Sequence, residues 1–358
     1  MPRYRPLALL AAVAGTLTLA ACGPGAAKPA APAPSGAAAA PAAPAAANAP
    51  PAAAAPTPAP LAKIKMTYPS GGVASLPVFV ARDNGFFERY GLDVETLLLT
   101  SDRAMAAVAS GDIQYVGGVG PASVAATALG LPLRAVWVTA TSPAYTVFAR
   151  PEIRTPEQLR GKRMGVPAIG GTSAVVTGMA LKHFGIEAGR DVALAQIEGD
   201  ALIAESLRSG AIDAAPLTAP FSLAMRQEGF TPLIDVASLV QMPQGGLSTT
   251  LDKLANERDE VRRTVRALDQ AQQWILQNPD DAVTLIQATL DTDRPVAQGT
   301  YDETVPTFQG KGLVTREGID NILAAVRDAG RIGPEVRYED VADGTLAEEV
   351  ARELGLIP

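Results

Sequence analysis

The chain has 358 residues, 30 basic against 37 acidic side chains, and a formal net charge of −7. A net acidic surface repels phosphate backbones, which excludes general nucleic-acid binding. Cys22 is the only cysteine, so an intramolecular disulfide, a multi-cysteine zinc site and an iron–sulfur cluster are excluded as well. Beyond the N-terminus no stretch is apolar for long enough to cross a bilayer as a helix.

Arg3 and Arg5 form a short positive region, and residues 7–21 are apolar but brief, the pattern of an export signal. It ends in Leu19-Ala20-Ala21-Cys22-Gly23, which resembles the lipobox of bacterial lipoproteins. That resemblance implies cleavage before Cys22 and acylation of its thiol, with residues 1–21 as the signal peptide. Residues 23–60 contain 20 Ala and 11 Pro with Lys28 as the only charge, a composition that cannot bury a core. Together, 22–60 read as a lipidated cysteine followed by a semi-rigid tether.

Strands and helices then alternate. Expected strands lie at 64–68, 92–99, 113–116 and 133–138, and again at 163–166, 192–197, 212–215 and 233–236. The segments between them begin with Gly, Ser, Thr or Pro and read as helices, with Ser101 as a cap and Pro121 at a first helical position. Such alternation predicts parallel sheets joined by crossover helices. The two halves repeat at an offset of 99 residues, pairing Gly71 with Gly170, Gly72 with Gly171, Ser110 with Ser209, Gly111 with Gly210, Ile113 with Ile212, Pro121 with Pro220 and Gly130 with Gly229. From Asp252 onward the pattern is helical, with Leu254, Val261, Val265, Leu268 and Ile275 on one face.

Asn84-Gly85-Phe86-Phe87-Glu88-Arg89-Tyr90-Gly91-Leu92-Asp93-Val94, Ser110-Gly111-Asp112-Ile113, Leu159-Arg160-Gly161-Lys162-Arg163, Gly170-Gly171-Thr172-Ser173 and Ser209-Gly210-Ala211-Ile212-Asp213-Ala214 carry a family likeness. In their order and spacing the chain resembles substrate-binding proteins of ABC importers, of the nitrate/sulfonate/taurine group that includes thiamine-pyrimidine synthesis proteins. The resemblance implies a type II periplasmic binding protein fold of class α/β, each lobe a sheet flanked by helices, with a ligand cleft between them. Mapped onto this chain, lobe one is 61–149 plus 246–358 and lobe two is 150–245.

Ligands of open α/β sheets bind beyond the carboxyl ends of strands, where helix N-termini present free N–H groups. Two facing lobes place both sets of loops across one cleft. The candidates in lobe one are Ser70, Gly71, Gly72, Ser75, Ser101, Arg103, Gly118, Thr141 and Tyr145. In lobe two they are Gly170, Gly171, Thr172, Ser173, Asp200 and Thr218. Glycines and hydroxyls at a helix start suit an anion or a carbonyl oxygen, although Thr172 and Ser173 also suit plain capping. Arg103 could grip a carboxylate or sulfonate, with Asp102 beside it as an alternative partner. Asp200 could meet an amine or cap a helix, and Tyr145 and Phe221 could stack on a planar ligand or pack in the core.

Catalytic motifs are missing. Gly118-Val119-Gly120-Pro121-Ala122-Ser123 imitates a dinucleotide fingerprint but lacks the acidic residue about 20 positions on. His183 is the only histidine and reads as a helix-terminal residue. The histidine and cysteine-rich motif of the pyrimidine-synthesis enzymes has no match in the corresponding stretches. The expectation is therefore a non-enzyme without catalytic residues, metal or cofactor: an exported, lipid-anchored monomer that captures a sulfonate, nitrate, carboxylate, aromatic or heterocyclic solute. It would deliver that solute to an ABC permease and its ATPase. A pyrimidine-precursor synthase-like enzyme and a ligand-presenting sensor are the alternatives.

Overall fold

A computed structural model describes residues 60–69 and 72–358. The signal peptide, Cys22, the Ala/Pro tract, Ser70 and Gly71 lie outside the described residues. The chain runs through β1 (Ala62–Tyr68), α1 (Leu76–Asp83), α2 (Phe86–Arg89), β2 (Leu92–Leu98), α3 (Ser101–Ala109), β3 (Tyr115–Gly117), α4 (Pro121–Ala128) and β4 (Leu133–Trp137). It continues with β5 (Thr146–Ala149), β6 (Arg163–Val166), α5 (Thr172–Lys182), β7 (Ala193–Gln196), α6 (Asp200–Arg208), β8 (Ala214–Leu217), α7 (Phe221–Gln227) and β9 (Thr231–Asp235). The last part holds β10 (Leu247–Thr250), α8 (Leu251–Asn256), α9 (Arg258–Gln277), α10 (Pro279–Leu290), α11 (Arg294–Thr304), α12 (Arg316–Asp328), α13 (Tyr338–Val341) and α14 (Thr345–Glu353).

Two five-stranded sheets result, ordered β2-β1-β3-β10-β4 and β7-β6-β8-β5-β9. The orders superpose strand for strand, so the repeat seen at an offset of 99 residues is an architectural one. Every expected strand is present to within two residues. β5 and β10 are the additions, and they correct the all-parallel expectation. β1 runs parallel to β2 and β3, but β10 runs antiparallel to both β3 and β4. β5 is likewise antiparallel to β8 and β9. Each is a short strand that the chain enters immediately after crossing from the other sheet, so no helix intervenes to turn it parallel.

This sheet membership moves the first crossing ahead of the expected break after 149, because β5 already belongs to the second sheet. The crossings are 138–145 and 236–246. They pair with each other antiparallel: Ala140 and Gln244 exchange backbone hydrogen bonds at 3.2 and 3.0 Å, and the Val236 N–H donates to the Tyr145 carbonyl at 2.9 Å.

Apolar spacing explains the helices. Val261, Val265, Leu268 and Ile275 of α9 are fully buried against lobe one, as their 3–4 residue spacing predicts. Full burial of such a side chain contributes about 1.5–3 kcal/mol. Leu254 falls on the separate helix α8, because the chain leaves helical geometry at Glu257 (φ −134°, ψ 37°). Ile319, Ile322 and Leu323 of α12 share a core with Val147 and Met164 of lobe two as well as with Ala135 of lobe one. Lys182 of α5 pairs with Asp328 of α12 at 2.7 Å. The C-terminal segment therefore packs on both lobes. Among the described residues no helix is long and apolar enough to cross a membrane.

Candidate functional site

The loops at the carboxyl ends of the strands meet between the lobes around two adjoining chambers. They share Ala74, Tyr145 and Gln244 as walls. The first, about 200 Å³, brings together Ser75, Ser101, Gly118, Tyr145 and Thr172 of the expected residues, with Tyr68, Met105, Ser123, Thr139 and Gln244. The second, about 310 Å³, brings together Gly72, Tyr145, Asp200 and Thr218, with Phe221 and Phe308 as aromatic walls. Larger hollows exist elsewhere, including an open groove of about 640 Å³ between α5 and α12 that holds His183. They share no wall residue with the two chambers.

Lobe one contributes the start of α4. Gly120 caps it in extended geometry (φ −170°), Pro121 takes the first helical position, and the Gly120 N–H donates to Ser123 Oγ at 3.1 Å. Lobe two contributes the starts of α5 and α6. Gly171 is the N-cap of α5, without a side-chain capping bond. Thr172 and Ser173 are thus not caps. The Thr172 hydroxyl faces the first chamber and has no hydrogen-bond partner among the described residues. A Cβ on Gly120 would lie 3.1 Å from Thr172 Oγ1, so the lobes approach closely here.

Several expected residues line neither chamber. Arg103 is exposed on α3 because Ala104 and Val108 take the buried face, so its guanidinium lies outside the site. Ser173 is buried in α5, one helical step away from the chamber-facing Thr172. The Thr141 N–H is engaged by the Thr307 carbonyl at 3.4 Å. Gly170 and Gly171 stand behind Thr172. The left-handed backbone belongs to Gly170 (φ +85°), whereas Gly171 has φ −74°. Ser101 begins α3 rather than capping it, since Thr100 is the N-cap, and Asp200 is likewise the first residue of α6 after Gly199.

Gln244 was not foreseen. Its Oε1 accepts from the Ala144 N–H at 2.9 Å, and its side chain lines both chambers together with Tyr145. Burial and the nearby Asp200 charge both raise the Tyr145 pKa, so the phenol is a neutral donor. Gly245-Gly246, which follow Gln244, were the available signal. Gly246 has φ +136°, and a Cβ there would lie 2.4 Å from the Trp137 carbonyl, so only glycine lets the returning crossing lie against the end of β4.

Among the described residues the first chamber has no charged side chain in its walls, and the second has only Asp200. Burial raises the Asp200 pKa. The arrangement is built to hold polar atoms by hydroxyls and helix N-termini. His183, the only histidine of the sequence, caps the end of α5 in the outer groove and lines neither chamber.

A family model described as NMT1/THI5 like matches residues 73–282. YtlA of Bacillus subtilis (strain 168), whose given name is that of a binding protein with no ligand stated, is 23% identical over 307 residues, covering 82% of this chain and 91% of that one. The alkanesulfonate-binding protein SsuA from Xanthomonas axonopodis pv. citri, solved with MOPS bound, superposes with a TM-score of 0.65. It is 17% identical, and the match covers 79% of this chain and 99% of SsuA. The periplasmic nitrate-binding protein NrtA from Synechocystis PCC 6803 superposes with a TM-score of 0.64 at 17% identity, covering 83% and 90%. The two-lobed framework, its cleft and the family match over most of the folded region agree: the chain belongs to the NMT1/THI5-like family and has the fold of periplasmic binding proteins.

Proposed function

We propose that this protein is the solute-capturing subunit of an ABC importer, exported and held to the membrane through acylated Cys22. It acts as a monomer that hands its solute to the permease, while a separate ATPase supplies the energy. The observation that carries this reading is the pair of chambers between two lobes joined by two paired crossings, a geometry in which closure and ligand enclosure are one event. The closed, loaded form then presents the permease with a surface that the open form lacks. Thr172, Ser75, Ser101, Tyr145 and Thr218, with the backbone at Gly72 and Gly118, are the ligand contacts. The start of α4 and Thr172 suit a hydrogen-bond-accepting group of the solute.

The test is a thermal-shift screen of the mature chain against sulfonates, nitrate, carboxylates, amines and heterocycles, followed by recovery of the bound compound. A ligand that stabilises the fold and is released chemically unchanged is expected. Conversion of the compound during incubation would replace the capture role with an enzymatic one.

A further inference from the structure

Among the described residues Asp200 is the only charged one lining the second chamber, and its carboxylate has no hydrogen-bond or ion-pair partner. It is partly buried at the first position of α6 and surrounded by Thr218, Phe221, Phe308 and Tyr145. The helix N-terminus eases its negative charge only in part. A carboxylate withdrawn from water and facing a cavity without a counter-charge is costly unless something arriving from outside pairs with it. Elsewhere lobe two gives its half-buried acids a partner: Asp191 pairs with Arg160 at 2.8 Å, and Asp213 accepts from the Arg163 N–H at 2.9 Å. Asp200 is the exception, and it is the one that faces a chamber. The aromatic rings beside it suit the apolar body that carries such a group, and can add a cation–π contribution.

Resting on the capture role proposed above, we infer that the solute carries a protonated amine or amidine group that pairs with Asp200. The rest of the molecule lies along Phe221 and Phe308, and any acceptor atoms point towards Thr172 and the start of α4. This is a different selection from that of the sulfonate- and nitrate-binding proteins that share the fold.

Isothermal titration with matched pairs of compounds tests this: benzylamine against benzyl alcohol, benzamidine against benzamide, and β-alanine against propionate. At concentrations up to about 10 mM even a millimolar Kd registers. The amino member of at least one pair is expected to bind about tenfold tighter or more, and Asp200→Asn to bring that ratio close to one. Asp200→Ser, favoured at helix starts, repeats the test if the Asn variant loses its circular dichroism. Equal binding within every pair, no amine binding at all, or a preference that survives in the Asp200 variants overturns the inference. Thr218→Trp fills the second chamber and separates the two readings. Amine binding that persists in it removes the cleft site itself, whereas tight binding of a non-amine that it abolishes leaves the cleft intact and sinks only the amine.

Discussion

Trp137 Nε1 donates to Asp269 Oδ1 at 2.7 Å, tying the last residue of β4 to α9 where the chain leaves lobe one. One turn further along α9, Gln272 Nε2 holds the Thr139 carbonyl of the first crossing. The crossing is therefore clamped to a helix that buries Val261, Val265, Ala267, Leu268, Ala271 and Ile275 in the lobe-one core. Asp269 Oδ2 and Gln272 Oε1 have no partner among the described residues, and residues three apart on a helix are neighbours. A proton on Oδ2 supplies a donor at that spot.

Burial pushes the Asp269 pKa up to about 8, against which the Trp137 bond works in the lowering direction. The folded state thus keeps a proton that the unfolded chain releases above its ordinary carboxylate range. Stability from this group is fully present below about pH 4 and declines as pH rises towards 8, by up to about 1.4 kcal/mol per unit. Above 8 the loss is complete. Urea denaturation between pH 5 and 9 should show Asp269→Asn with a flatter profile than wild type and greater stability at the alkaline end. Parallel profiles would remove the buried proton from the account.

Gly312 sits against the same bond. Its φ is +73°, and a Cβ there would lie 2.3 Å from both Asp269 Oδ1 and Trp137 Nε1. Its carbonyl also accepts from the Val138 N–H at 3.0 Å. Gly312→Ala combines a left-handed penalty with overpacking, so a loss of about 2–5 kcal/mol is expected in equilibrium unfolding. Full stability in that variant would show that the crossing is not clamped there.

Gly120 and Thr172 face each other across the cleft. Gly120→Val leaves its extended backbone unstrained but fills the gap to Thr172 Oγ1, so ligand affinity should fall at least tenfold (about 1.4 kcal/mol) while circular dichroism is unchanged. Thr172→Ala should weaken binding by about 1 kcal/mol, and Ser173→Ala should not, because only the first hydroxyl reaches the chamber. Titration of all three variants with one ligand checks the order. Equal effects of the two Ala changes would break the assignment.

Anchoring is tested at the N-terminus. Cys22→Ser should leave the precursor uncleaved by the lipoprotein peptidase and unlabelled by radioactive fatty acid, because the acyl acceptor is gone. Normal membrane retention of that variant would replace the lipid anchor with another mode of attachment.

The alternation of apolar strand segments with Gly- and Ser-started helices was enough to place eight strands, the internal repeat and the α/β class, because period and turn chemistry are local properties of the chain. The places of Thr172, Asp200 and Thr218 on the chamber walls were legible for the same reason, since they stand where a strand ends and a helix begins, whereas Tyr145 ends the first crossing just before β5. The tertiary structure decided what local pattern cannot carry. β5 and β10 are only four residues long and join sheets built mostly from distant segments, so their antiparallel insertion depends on partners far along the chain. Which helix-start residues face the cleft was also decided by packing. Ala104 and Val108 bury one side of α3 and leave Arg103 outside, and a single helical step separates half-buried, chamber-lining Thr172 from buried Ser173. Gln244 entered the site because two crossings pair with each other, a contact between residues about 100 apart that no window of sequence contains.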